Sequence, residues 1–204
     1  ACKLTWKNLN ATFSFINAHV APLLVEKFSA PVKNKNAIDL GCGIGSSTFH
    51  LLRLGWKVIA LDRDELSLRK LKERVLQENA EWLENKQLTI INQPLEEYTF
   101  PHNVSLIVAN DVLPYVDPTL VSSLWYKIHG ALEANGHFIG SLFFDDGSLS
   151  NQVMKMKFGP WFIDQEFIKA ILEHDTLYQT ENAQERASAA GTCVIEFNLL
   201  KSVP

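Results

Sequence analysis

The chain has 204 residues, 47% of them hydrophobic and 21% charged, with a net charge of −4. That is the size of one globular domain, able to bury about 70% of its unfolded surface without disulfide staples. The composition excludes collagen-like, low-complexity and wholly disordered chains. The acidic balance argues against a general nucleic-acid or membrane-surface binder. Three scattered cysteines, Cys2, Cys42 and Cys193, form no CxxC pair and no zinc-ligand grouping with the histidines. They read as reduced thiols, which points to the cytoplasm. No apolar run approaches the ~18 residues of a membrane span.

The chain opens with an apolar, helical stretch over Ala11 to Phe28, broken at Pro22. Apolar runs then alternate with helical patterns. Ala37 to Leu40 reads as a buried strand, and Ser46 to Leu54 as a helix ended by Gly55. Val58 to Leu61 is a second strand. Asp64 to Glu84 is a helix with Leu68, Leu71, Val75 and Leu76 on one face and Asp64 as its N-cap. Leu88 to Ile91 and Leu106 to Ala109 are the third and fourth strands. Thr119 to Glu133 is a helix, and His137 to Phe144 a fifth strand after the Asn135-Gly136 turn. Asp145 to Phe158 reads as a loop, and Ile163 to Leu172 as a helix. Thr176 to Gln179 and Thr192 to Leu200 form a closing strand pair around the polar stretch Glu181 to Gly191. Strands alternating with helices imply βαβ units and a parallel sheet.

The most informative stretch is Asp39-Leu40-Gly41-Cys42-Gly43-Ile44-Gly45, in which a strand runs into a glycine loop and then a helix. Glycines permit left-handed backbone and close approach to a ligand. The helix start adds unpaired N–H groups and a positive dipole end. In an open α/β sheet, ligands bind at the carboxyl ends of the strands. The spacing is GxGxG rather than GxGxxG, and no lysine follows as in a phosphate-binding P-loop. Asp62 ends the second strand, where a carboxylate can take both hydroxyls of a ribose.

Asp39 to Gly45 resembles the first motif of the class I S-adenosylmethionine-dependent methyltransferases. Asp62 matches the ribose-binding acid of their second motif. Ile107 to Val116, through Asn110-Asp111-Val112-Leu113-Pro114-Tyr115, is similar to their fourth. The resemblance spans about residues 36 to 145. It implies a doubly wound, mostly parallel seven-stranded α/β sheet with a closing antiparallel strand, a Rossmann-like methyltransferase fold. The whole chain would be one domain: an N-terminal helical segment (1–35), a cofactor-binding core (36–145) and a substrate-side loop, helix and strands (146–204). The implied cofactor is S-adenosylmethionine. Asp39, Gly41 and Gly43 would surround its methionine end, with Cys42 between the two glycines of the cofactor loop, and Gly45 would let the helix start close by. Asp62 would take the ribose, and Arg63 would lie beside the adenine. The Asn110 backbone carbonyl would take the methionine amino group. In this family an acid often follows the third strand to bind the adenine amino group. Here Pro94 takes that place, and Gln93 or the Leu95 N–H would serve instead. At the start of the fourth strand, Val104-Ser105 replaces a common aromatic-Asp pair.

Transfer from a sulfonium needs chiefly positioning. A base is required only when the nucleophile must lose a proton. Asp111 and Tyr115, just past the fourth strand, are the catalytic candidates, with His129 behind them. Cys42 reads as an inert spacer, Glu96-Glu97 as a solvated pair, and Trp161-Phe162 as a lid over the acceptor or a packing segment. No metal site is indicated. The core fills nearly the whole chain, and no basic stripe is interleaved with aromatics. The expected partner is therefore a small-molecule methyl acceptor, with no nucleic acid and no membrane. The tail is loosely similar to that of the tellurite-resistance methyltransferases. Two alternatives are a non-catalytic S-adenosylmethionine-binding subunit and a nicotinamide-dependent oxidoreductase. The second lacks both the third-glycine spacing and a Tyr/Lys pair.

Overall fold

Strands with apolar residues on both faces alternate with helices that carry one apolar stripe, and together they wind into a seven-stranded sheet. The computed structural model describes residues 34–143, 145, 152, 178–187 and 193–201 (of 178–187 and 193–195, the backbone only). The strands are β1 Asn36–Leu40, β2 Lys57–Asp62, β3 Leu88–Asn92, β4 Val104–Ala109, β5 Leu132–Phe143, β6 Tyr178–Ala187 and β7 Cys193–Lys201. The helices are α1 Ser46–Arg53, α2 Glu65–Glu78, α3 Glu81–Glu84 and α4 Pro118–Ala131. The sheet order is β3-β2-β1-β4-β5-β7-β6. The first five strands in that order are parallel, and β7 runs antiparallel to both β5 and β6. Strand order reverses between β1 and β4, the switch point at which such sheets open a crevice.

Residues of β4 are buried along its whole length, as a central parallel strand requires. On one face, Phe49, Leu51, Trp56, Leu71 and Val75 pack α1 and α2 against the sheet. On the other, Leu124, Trp125 and Ile128 of α4 meet Phe138 and Phe197. Local chemistry sets the helix starts. The Asp64 carboxylate accepts from the N–H groups of Leu66 and Ser67 and caps α2. Asp117 accepts from Thr119 N–H and caps α4, whose first residue is Pro118.

Three elements differ from the sequence expectation. The single helix over Asp64 to Glu84 stops at Glu78, because Asn79 is extended (φ −160°, ψ 99°). Its side-chain oxygen accepts from Glu81 N–H at 3.0 Å and starts the one-turn α3, a local bond that competes with the helix ladder. The helix expected over Thr119 to Glu133 ends at Ala131, and β5 begins at Leu132. Asn135 has φ 61° and sits inside the strand. The Asn-Gly pair is absorbed there as an irregularity: Val104 pairs with Leu132, but Leu106 pairs with His137. Finally, Glu181 to Ala187 is not connecting chain but part of β6, paired with β7. The segments expected as helices over 11–28 and 163–172, most of the 145–158 loop and the Trp161-Phe162 lid lie outside the described residues. Among the described residues, no helix is long and apolar enough to cross a membrane.

Gly140 of β5 lets that strand pack closely against Phe197 of β7. A Cβ there would lie 2.6 Å from Phe197 Cζ and 3.0 Å from the Ala109 carbonyl oxygen. Overpacking of this kind costs about 1–3 kcal/mol. Gly140→Ala is therefore expected to lower the urea midpoint of unfolding; an unchanged midpoint would contradict this packing.

Candidate functional site

Parallel pairing delivers the carboxyl ends of β1 to β4 to one edge of the sheet. A cleft of about 230 Å³ opens there, lined by Gly41, Asp62, Arg63, Leu95, Glu96, Asp111, Val112, Tyr115 and Val116. Each of these strands supplies one part of the wall: β1 leads into the glycine loop, β2 into Asp62 and Arg63, β3 into Leu95 and Glu96, and β4 into Asp111 to Val116.

The glycine loop is anchored to β2. The N–H groups of Gly41 and Cys42 both donate to the Leu61 carbonyl, at 2.8 and 3.1 Å. Gly43 N–H donates to Asp62 Oδ2 at 2.8 Å, and Asp64 N–H donates to Asp62 Oδ1 at 2.9 Å. The Asp62 carboxylate is thus aimed by two backbone donors and keeps lone pairs for further donors. Glycine is required at two loop positions for different reasons. Gly41 (φ 64°) lies under Val112, and a Cβ on it would come within 2.3 Å of Val112 Cγ2. Gly45 (φ 94°) lies under α2, and a Cβ would come within 2.4 Å of Leu71 Cδ1. Gly45 therefore serves helix packing. Arg74 braces the loop from outside by donating to the Ile44 carbonyl at 2.5 Å, with its guanidinium 4.4 Å over the Phe49 ring.

Asp39 stands behind the loop. It is buried, and Thr48 Oγ1 donates to its Oδ2 at 2.6 Å. Burial pushes its pKa up from 3.8 to about 7; the Thr48 bonds pull it down, and the Asp62 charge adds to the rise. Cys42 is buried too. Burial and the charges of Asp39 and Asp62 push its thiol up, which makes it inert, in keeping with a spacer.

Among the expected site residues, Gly41, Asp62, Arg63, Leu95, Asp111 and Tyr115 come together on the cleft. Asp39, Cys42, Gly43, Gly45, Gln93, Pro94 and Asn110 are not on its lining. The Gln93 amide turns away and donates to the Glu97 carbonyl at 3.2 Å, while its N–H closes onto the Asp62 carbonyl. Pro94 caps the 3-10 turn Leu95–Glu97. Glu96, read as a solvated residue, lines the cleft instead. His129 sits in the last turn of α4, just before Leu132, which pairs with the first residue of β4. That places it a strand length from the cleft.

Asp111 has φ 54°. Its N–H donates to Ser141 Oγ at 2.6 Å, and Ser141 Oγ donates to its Oδ1 at 2.8 Å. Tyr115 meets Phe143 edge-on at 6.0 Å between ring centres. Burial and the Asp111 charge push the Tyr115 hydroxyl upward, so it faces the cleft as a protonated donor rather than a base. Thr48 and Ser141 were not expected at the site. Thr48 lies in the first turn of the helix after the loop, so helical spacing could have found it. Ser141 is thirty residues from its partner and had no local signal.

A sequence family described as a methyltransferase domain matches residues 38–138. The match covers the glycine loop, Asp62 and the β4 end in one frame. These residues form a class I S-adenosylmethionine-dependent methyltransferase domain. No curated protein matches it in sequence. Several solved structures share the fold. TehB from Haemophilus influenzae is 17% identical with a TM-score of 0.69, over 91% of this chain and 63% of that one. This chain thus spans less than two thirds of TehB. Magnesium protoporphyrin IX methyltransferase from Synechocystis PCC 6803, with S-adenosylhomocysteine bound, is 19% identical (TM-score 0.68; 90% and 80% covered). The N-methyltransferase NodS from Bradyrhizobium japonicum WM9 is 16% identical (TM-score 0.66; 89% and 93% covered).

The methyltransferase cleft suits its cofactor in chemistry. The Asp62 carboxylate fits a ribose diol, and Leu95 offers an apolar wall for a flat base. A Cβ on Gly43 would meet nothing within 4 Å, so the space beside the middle of the loop is open to a ligand.

The state of Asp39 predicts how this methyltransferase responds to pH. Its folded pKa of about 7 exceeds the ordinary 3.8, so between these values the folded protein binds more protons than the unfolded one. Its contribution is present in full below pH 4 and is lost as pH rises toward and through 7. Asp39→Asn is expected to flatten the fall in urea stability between pH 4.5 and 7.5 relative to the parent. Identical slopes would contradict a protonated Asp39.

Proposed function

We propose that the protein transfers the methyl group of S-adenosylmethionine to a small-molecule acceptor by in-line displacement. The observation that carries this reading is the Asp62 carboxylate on the cleft wall, oriented by the glycine loop's own N–H. Asp62 takes the ribose hydroxyls, with Arg63 and Leu95 flanking the adenine. Gly41 and Gly43 bring bare backbone to the methionine end, and the Asn110 carbonyl takes its amino group. Asp39, behind the loop, acts through the loop or a water.

The bound cofactor supplies a methyl group already activated on a sulfonium. The chain's task is to hold the acceptor atom in line at near-attack distance and to exclude water. Asp111 and Tyr115 form the acceptor side. Asp111 accepts a proton where the nucleophile must lose one, and Tyr115 donates a hydrogen bond that orients the acceptor. An amine or thiolate nucleophile needs no base.

A small acceptor is favoured by an acidic chain with no basic stripe. Proteins of similar fold are named for small acceptors, among them magnesium protoporphyrin IX and 1,6-didemethyltoxoflavin. The chain works as one domain built around the 36–145 cofactor-binding core. Its three scattered cysteines, read as reduced thiols, suit the cytoplasm.

Asp62→Ala is expected to weaken S-adenosylmethionine binding by about 1.5–3 kcal/mol, the range for hydrogen bonds to a charged group. Titration calorimetry measures this directly. Affinity equal to that of the parent would remove the ribose assignment.

A further inference from the structure

We propose that Ser141 is a positioning residue of the methyl-transfer site, holding the Asp111-Val112 turn against the glycine loop from the neighbouring strand. The inference rests on the reading of the cleft as an S-adenosylmethionine site. Ser141 is fully buried on β5. Gly140 pairs with Ala109, so Ser141 lies one step past the last residue of β4. A serine hydroxyl has one proton and two lone pairs. Here the proton goes to Asp111 Oδ1 and a lone pair accepts Asp111 N–H. One side chain therefore binds both the backbone and the carboxylate of a single residue.

That residue is strained. Asp111 has φ 54°, a left-handed conformation disfavoured for a non-glycine residue, though aspartate tolerates it better than most. The two bonds from Ser141 offset this cost. The turn they hold carries Val112 onto Gly41, so close that a Cβ on Gly41 would overlap it. Val112, Gly41 and Asp111 all line the cleft. Ser141 does not line it, yet its hydroxyl sets where that wall stands. Two residues further along the same face of β5, Phe143 buttresses the Tyr115 ring. Thus β5 supports both acceptor-side residues without reaching the ligand.

Loss of the hydroxyl leaves the Asp111 N–H and carboxylate without these partners and frees the turn to relax to negative φ. Val112 then withdraws from Gly41 and the cofactor wall loosens. A fold-stabilising serine unrelated to the site would lower the unfolding midpoint but leave ligand affinity alone.

The test is a double-mutant cycle read by calorimetry with S-adenosylmethionine on the full chain: parent, Ser141→Ala, Asp111→Ala and the double variant. Ser141→Ala is expected to weaken binding about tenfold. The loss in the double variant is expected to be smaller than the product of the two single losses, because both act through one turn. Losses that multiply, or parent-like affinity in Ser141→Ala, overturn the positioning role. Asp62→Ala run alongside separates the two readings. If it loses affinity while Ser141→Ala does not, the cofactor site stands and the positioning role fails. If the parent binds no S-adenosylmethionine, both fail. Should Ser141→Ala not fold, Ser141→Cys keeps the volume with a weaker donor; it is expected to bind more weakly than the parent, and parent-like affinity would overturn the role.

Discussion

Three consecutive backbone N–H groups of the glycine loop, from Gly41, Cys42 and Gly43, end on two neighbouring residues of β2, Leu61 and Asp62. The rest of the site depends on this tie. It uses loop amides that would otherwise need partners, and the loop carries left-handed backbone at Gly41 and Gly43. It also points the Asp62 carboxylate toward the cleft, because one oxygen is held by the loop and the other by Asp64 N–H. The pairing of β1 with β2, Leu40 opposite Leu61, puts the two chain ends level so that the tie can form. Sheet register thereby becomes ligand geometry.

The electrostatics come from the same closeness. Asp39, Asp62 and the Cys42 thiol crowd into a small space, and the two buried groups respond by resisting ionisation. Of the three, Asp62 alone lines the cleft, while Asp39 stays buried behind the loop.

The sheet and the cofactor side were legible in the sequence because both rest on local signals. Apolar runs such as Ile107 to Ala109 mark central strands, and a strand, three glycines and an acid at the next strand's end mark the cradle. What was hidden rests on side chains that override or bridge those signals. Asn79 interrupts a helical pattern by binding Glu81 N–H, which periodicity does not register. Asn135-Gly136 looks like a turn, but pairing with β4 draws it into β5. The polar residues of β6 resemble a loop because a strand at the sheet edge need not be apolar. At the site, Thr48 on Asp39 and Ser141 on Asp111 are tertiary contacts, and Glu96 reaches the cleft only because a 3-10 turn comes after β3. The Asp111 wall rests on such a contact between two strands, so it was less readable than the glycine loop.

The central claim is that the cleft is an S-adenosylmethionine site built on Asp62. The most direct test is titration calorimetry of the full chain with S-adenosylmethionine, S-adenosylhomocysteine and NAD. Micromolar binding of the first two with no heat from NAD is the predicted result. Binding of NAD alone, or of none of the three, would contradict it.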